Sequence, residues 1–87
     1  MPKILQTPEQ SAIDTKIAAA LKELRIERKM TMAVLAAEIG VTFQQIQKYE
    51  NGKNRVSAST LVLIAKALKV KPGKILDEVV KAVGEVA

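Results

Sequence analysis

The sequence predicts an all-α fold, a compact five-helix domain, and three observations point to it. Apolar residues recur at three- and four-residue spacing through five stretches, whereas Val41 and Val70 stand alone in turns instead of in alternating runs. A helix-opening Thr, Ser or Pro precedes each stretch, and Gly40, Gly52 and Gly84 follow three of them. The core must be built from Leu, Ile, Val, Ala and Met, because 48% of the residues are hydrophobic yet there is one Tyr, one Phe and no Trp. That mixture favours packed helices.

Thr7, Pro8, Glu9 and Gln10 open the first helix, with Thr as N-cap, Pro at the first helical position and Gln closing a capping box. Ile13, Ile17, Leu21 and Leu24 follow at helical spacing, and Arg28 and Lys29 suit the negative end of the dipole, so this helix is expected to end near Lys29. Thr31 caps a second helix of about two turns, in which Leu35, Ala36 and Ile39 share a face until Gly40 stops it in a left-handed conformation. Thr42, Phe43, Gln44 and Gln45 read as another capping box, opening a third helix that ends before the turn pair Asn51 and Gly52. Ser57 caps the fourth, carried by Leu61, Ile64, Ala65 and Leu68, and Pro72 opens a fifth that runs to about Val83. Residues 1–7 are expected to be a flexible arm and 84–87 a tail. The whole of 1–87 is expected to be a single domain, with no second catalytic or sensing unit, since this length encloses one small core.

With no Cys and no His, the chain offers no disulfides, thiol nucleophiles, imidazole acid/base chemistry or zinc sites of the usual kind. No nucleophile and base stand together, so no enzyme activity, cofactor or small-molecule ligand is expected. The amino end lacks a signal-peptide core, and no uncharged run approaches the ~20 residues of a spanning helix, so the expected location is cytoplasmic, without membrane contact. The formal net charge of +5 suits a polyanion partner through counterion release.

Residues 32–51 have the composition of a helix-turn-helix. A helix that enters the ~12 Å major groove of DNA must lean out of its fold, braced at a steep angle by a partner helix. Ala36 suits the closest approach of the two axes, and Gly40 suits the tight turn. Leu35, Ile39, Val41, Ile46 and Tyr49 suit the inner faces. With Ile46 and Tyr49 inward, Phe43, Gln44, Gln47 and Lys48 face out as candidate base readers. Gln pairs bidentately with adenine, Lys donates to guanine O6 and N7, and an apolar ring rests on a thymine methyl. The alternative for Phe43 is packing against Val41 or the second helix, and for Gln47 simple solvation. Thr42, Asn51, Lys53, Asn54 and Arg55 carry hydroxyl, amide and cationic donors suited to phosphate, as do backbone N–H groups near Met32 and Phe43. Lys53 and Arg55 would otherwise be ordinary solvated turn charges.

From about Ile17 to Leu76, through the helix-turn-helix, its flanking helices and the Tyr49–Glu50–Asn51–Gly52 turn, the chain resembles the lambda-repressor/Cro-like (XRE-type) regulators of phages and bacteria. The resemblance implies a five-helix domain that binds a double-stranded DNA operator as a homodimer. It also implies bacterial or phage origin, nucleoid association and transcription regulation, with repression by occlusion the simplest outcome. It places Phe43, Gln44 and Lys48 at the principal reading positions, with Gln47 nearer the backbone. Met32 stands at a phosphate-contacting position where relatives often carry Gln. Methionine cannot donate a hydrogen bond, so it would pack against a sugar or base methyl. Lys69 stands where Gly is common, and Arg25 and Glu50 match a structural ion pair. Val62 or Leu63, with Val79, Val80, Val83 and Val86, are candidates for self-association or for closing the core. A different class of function, an antitoxin that neutralises a toxin and autoregulates its operon, is compatible with the same fold.

Overall fold

The computed structural model describes residues 7–84. Among them are five helices and no strand: α1 (Pro8–Glu27), α2 (Met32–Ile39), α3 (Phe43–Glu50), α4 (Ala58–Leu68) and α5 (Pro72–Val83). Of the expected arm only Thr7 is described, as the cap of α1; residues 1–6 and, in the tail, 85–87 lie outside the described residues.

Local chemistry starts the helices. The Thr7 hydroxyl accepts from Gln10 N–H at 3.1 Å, and the Gln10 side-chain Oε1 accepts from Thr7 N–H at 3.0 Å, completing the capping box. Thr31 and Thr42 accept from Val34 and Gln45 N–H, each at 3.1 Å, and Ser57 accepts from Thr60 N–H at 3.2 Å. The expected second box at Thr42 is only half formed. Gln45 turns its amide to Asn54 instead, donating from Nε2 to Oδ1 at 3.3 Å, because the loop after α3 brings a competing acceptor within reach.

The first four helices end in one motif. A residue with positive φ is followed by one whose N–H reaches back five positions, satisfying an otherwise orphaned carbonyl. These bonds run from Met30 to Arg25 (3.1 Å), Val41 to Ala36 (3.0 Å), Lys53 to Lys48 (3.0 Å) and Val70 to Ala65 (2.9 Å). The left-handed residues are Lys29, Gly40, Gly52 and Lys69, with φ of 55°, 76°, 79° and 61°. Lys29 therefore lies just beyond α1, whose last helical residue, Glu27, falls two positions short of Lys29. At Lys69 the Cβ crowds the backbone in a conformation that glycine adopts without penalty. Lys69→Gly is expected to stabilise the fold by up to about 1 kcal/mol. Thermal unfolding checks this: the midpoint should rise by a few degrees, and a fall would mean that the lysine side chain contributes more than its backbone costs.

The core joins Leu21 and Leu24 of α1, Leu35 and Ala36 of α2, Ile46 of α3, Leu61, Ile64, Ala65 and Leu68 of α4, and Ile75 and Val79 of α5. Helix α2 packs on α3 and α4, α1 on α3 and α5, and α4 on α5. Of the two roles open to Val79, self-association or closing the core, it takes the second, at 3% exposure. Ile75 and Val79 share the buried face of α5, while Leu76 and Val80, one position and about 100° further round, stay exposed. Val62 and Leu63 are also exposed, Val83 is half-buried, and Val86 lies outside the described residues.

Candidate nucleic-acid interface

The helix-turn-helix is formed by α2, the Gly40–Thr42 turn and α3. Ala36 is 3% exposed where α2 meets its partners, and Ile46 is the one fully buried side chain of α3. Ile39, Val41 and Tyr49 pack partly buried against the same core. A Cβ at Gly40 would meet nothing within 4 Å, so glycine is required there by its φ of +76° and not by lack of space.

Arg25 and Glu50 fasten α3 to α1. Arg25 Nε donates to Glu50 Oε2 at 2.6 Å, Nη2 to Oε1 at 3.0 Å, and Nη1 to the Met30 carbonyl at 2.9 Å. The two side chains are only 11% and 7% exposed. Every nitrogen of this guanidinium thus donates within the fold, and the pair is structural.

With Ile46 inward, α3 turns Gln44, Gln47 and Lys48 to the exterior, three and four positions apart on one face. Phe43 is 41% exposed and borders a shallow groove with Ile26, Met30, Met32 and Ala33. Met32 is half-buried and packed on the core, with the rest of its side chain open to solvent.

Thr42 is exposed at the amino end of α3, its hydroxyl oxygen accepting from Gln45 N–H. Asn51, Lys53, Asn54 and Arg55 are exposed in the loop beyond. Asn51 Oδ1 accepts from Lys53 N–H at 2.9 Å, and Asn54 Oδ1 accepts from Gln45, so both asparagines use their oxygen within the fold and keep the NH2 group as a donor. Arg55 Nε donates to Asp14 Oδ2 at 2.9 Å. Sequence reasoning missed both Gln45 and Asp14 as partners of this loop. The contacts span 9 and 41 residues, and no local pattern signals them.

One electrostatic fact unites the surface. From Thr42 to Arg55 the only acid is Glu50, and it is buried against Arg25, so Lys48, Lys53 and Arg55 stand among amides and hydroxyls without an exposed carboxylate from the same segment. Such a surface attracts polyanions and offers donors to phosphate and base edges. Among the described residues, no His, Cys, Asp or Glu cluster could hold a metal ion, and no helix is long and apolar enough to cross a membrane.

Residues 21–75 match the helix-turn-helix family model. The chain is 43% identical over 68 residues to an HTH-type transcriptional regulator of Sinorhizobium fredii, covering 78% of this chain and 48% of that protein. It spans about half the length of the curated relatives it matches. Among solved structures, the clp gene regulator ClgR of Corynebacterium glutamicum superposes with a TM-score of 0.78 at 23% identity, covering 85% of this chain and 96% of that one. The restriction-modification controller protein C.AhdI of Aeromonas hydrophila gives 0.67 at 26% identity, covering 70% and 92%. Five helices in the right order, a glycine-turned α2–α3 pair and a family match across α1 to α5 lead to one conclusion: the chain belongs to the lambda-repressor-like, XRE-type helix-turn-helix family.

Proposed function

We propose that this chain binds double-stranded DNA in a sequence-dependent manner and regulates transcription, with α3 in the major groove. The observation that carries this reading is the outward face of α3: Phe43, Gln44, Gln47 and Lys48 stand clear of the core on a segment whose single acid is neutralised inside the fold. Gln44 and Lys48 read base edges, Phe43 meets thymine methyls, and Gln47 lies nearer the backbone. Thr42, Asn51, Lys53, Asn54 and Arg55 hold phosphates and set the register, and Met32 adds apolar contact to a sugar. The described helices act as one DNA-binding module. Two copies bind a pseudo-palindromic operator, associating through exposed aliphatics such as Val62, Leu63, Leu76 and Val80, and repress by occlusion.

Selection of bound sites from randomised duplex DNA tests the reading. Enriched sites are expected to carry two half-sites about 34 Å apart. On the best site, Gln44→Ala or Lys48→Ala should relax preference at particular base pairs by ~1–3 kcal/mol, whereas Lys53→Ala should weaken every sequence alike and lower the salt slope by about 1. Identical effects from the two kinds of change would dismiss this division of roles. An absence of enrichment at low ionic strength would dismiss DNA binding itself.

A further inference from the structure

The molecule holds two arginine–carboxylate pairs that are built differently. Arg25 is gripped bidentately, gives its remaining nitrogen to a carbonyl, and is buried with its partner. Arg55 gives a single hydrogen bond among the described residues, from Nε, and none from its two terminal nitrogens. Burial is graded across this second pair: the Asp14 side chain is 28% exposed and that of Arg55 is 58% exposed, so the carboxylate is the more enclosed partner. The pair spans a polar crevice between the first half of α1 and the loop after α3, lined by Ser11, Asp14, Thr15, Gly52, Lys53 and Arg55. Backbone restraint is thin there. Asn54 N–H reaches the Lys48 carbonyl at a long 3.3 Å, and the N–H groups of Arg55, Val56 and Ser57 enter no backbone hydrogen bond among the described residues.

We infer that Asp14 is a positioning residue of the nucleic-acid interface, holding Arg55 by Nε so that its two terminal nitrogens are presented, beside Lys53, to a backbone phosphate. The inference rests on the DNA-binding reading above and extends the interface to α1. An arginine swinging freely from an untethered loop would lose its rotamer freedom when it met phosphate; one already held through its inner edge loses less. The planar fork allows this, since Nε and one terminal nitrogen form one edge while the outer edge carries both terminal nitrogens.

The sign of one substitution separates positioning from plain charge. Asp14→Ala raises the net charge by one, which by Coulomb attraction alone would tighten binding to any duplex. If Asp14 positions Arg55, Asp14→Ala instead weakens binding to the selected duplex by about two- to tenfold, the effect of one long side chain left to be immobilised on binding. Salt titration of the intact chain should give Arg55→Ala a slope lower by about 1 and place Asp14→Ala between it and wild type. The Asp14→Ala/Arg55→Ala double variant should bind no more weakly than Arg55→Ala, because both changes remove the same contact. Thermal unfolding is followed in parallel, and Asp14→Asn, which keeps the shape, replaces Asp14→Ala if that variant is unfolded. Tighter binding with a steeper slope in the Asp14 variant would make Asp14 a competitor for Arg55 and overturn the inference. A wild-type slope in Arg55→Ala would overturn it too, with DNA binding intact. Failure of the wild-type chain to bind any duplex at low salt would remove the DNA-binding reading and this inference together.

Discussion

Glu50→Ala is expected to destabilise the fold by about 3–5 kcal/mol, the cost of stranding one member of a buried ion pair. The carboxylate accepts from Nε and Nη2 of Arg25 at 2.6 and 3.0 Å, and both side chains are about nine-tenths enclosed. Removing it leaves two guanidinium N–H donors without acceptors while Nη1 stays tied to the Met30 carbonyl, which hinders escape of the charge to water. Domains of this size are stable by only about 5–15 kcal/mol, so Glu50→Ala should sit near the edge of folding. Urea unfolding followed by circular dichroism measures the loss. Replacing both partners, as Arg25→Met with Glu50→Met, should cost less than Glu50→Ala alone, because no charge is then left buried. A loss below about 1 kcal/mol in Glu50→Ala would show that water reaches Arg25 and that the pair behaves like a surface salt bridge.

Ile46→Ala is expected to cost about 2–5 kcal/mol, through lost burial and the cavity left behind. The site matters more than the number. Ile46 is 1% exposed and is the one fully buried apolar residue of α3, whose other inward apolar group, Tyr49, is only partly buried. Emptying this anchor loosens α3 before it dissolves the α1–α4–α5 body, which keeps Leu21, Leu24, Ile64, Leu68 and Ile75. At low temperature, affinity for the selected duplex should therefore fall further than helical content. Ile46→Val, which removes one methylene, should cost about 0.5–1.5 kcal/mol and largely preserve binding. Equal loss of helicity and affinity in Ile46→Ala would show that α3 and the body unfold as one unit.

Helix starts were legible in the sequence because capping is local: Thr7, Thr31, Thr42 and Ser57 each accept an N–H three positions on, and that spacing can be read directly. The Gly40 and Gly52 stops were legible for the same reason. The left-handed turn after α1 was not, since nothing about lysine as a residue type announces such a conformation. Lys29 adopts one because the chain must turn there to bring Met30 to the Arg25 carbonyl. On α5, Val79 and Val80 are the same residue type in adjacent positions. The composition of the helix could not say which would be buried until the angle at which α5 meets α1 and α4 was known.

The outward face of α3 and the Arg25–Glu50 link follow from residue identity, spacing and family resemblance, so the amino-acid sequence by itself determined five helices, a helix-turn-helix at residues 32–51 and the side chains that α3 turns outward. Tertiary structure alone decided how the loop beyond α3 is held: Gln45 left its expected capping role for Asn54, and Asp14 met Arg55 across 41 residues. Caps and periodicities act over three or four residues, within the reach of a single turn. Partners drawn from separate helices are chosen only when packing of the shared core brings their surfaces together, and no short-range pattern records that choice.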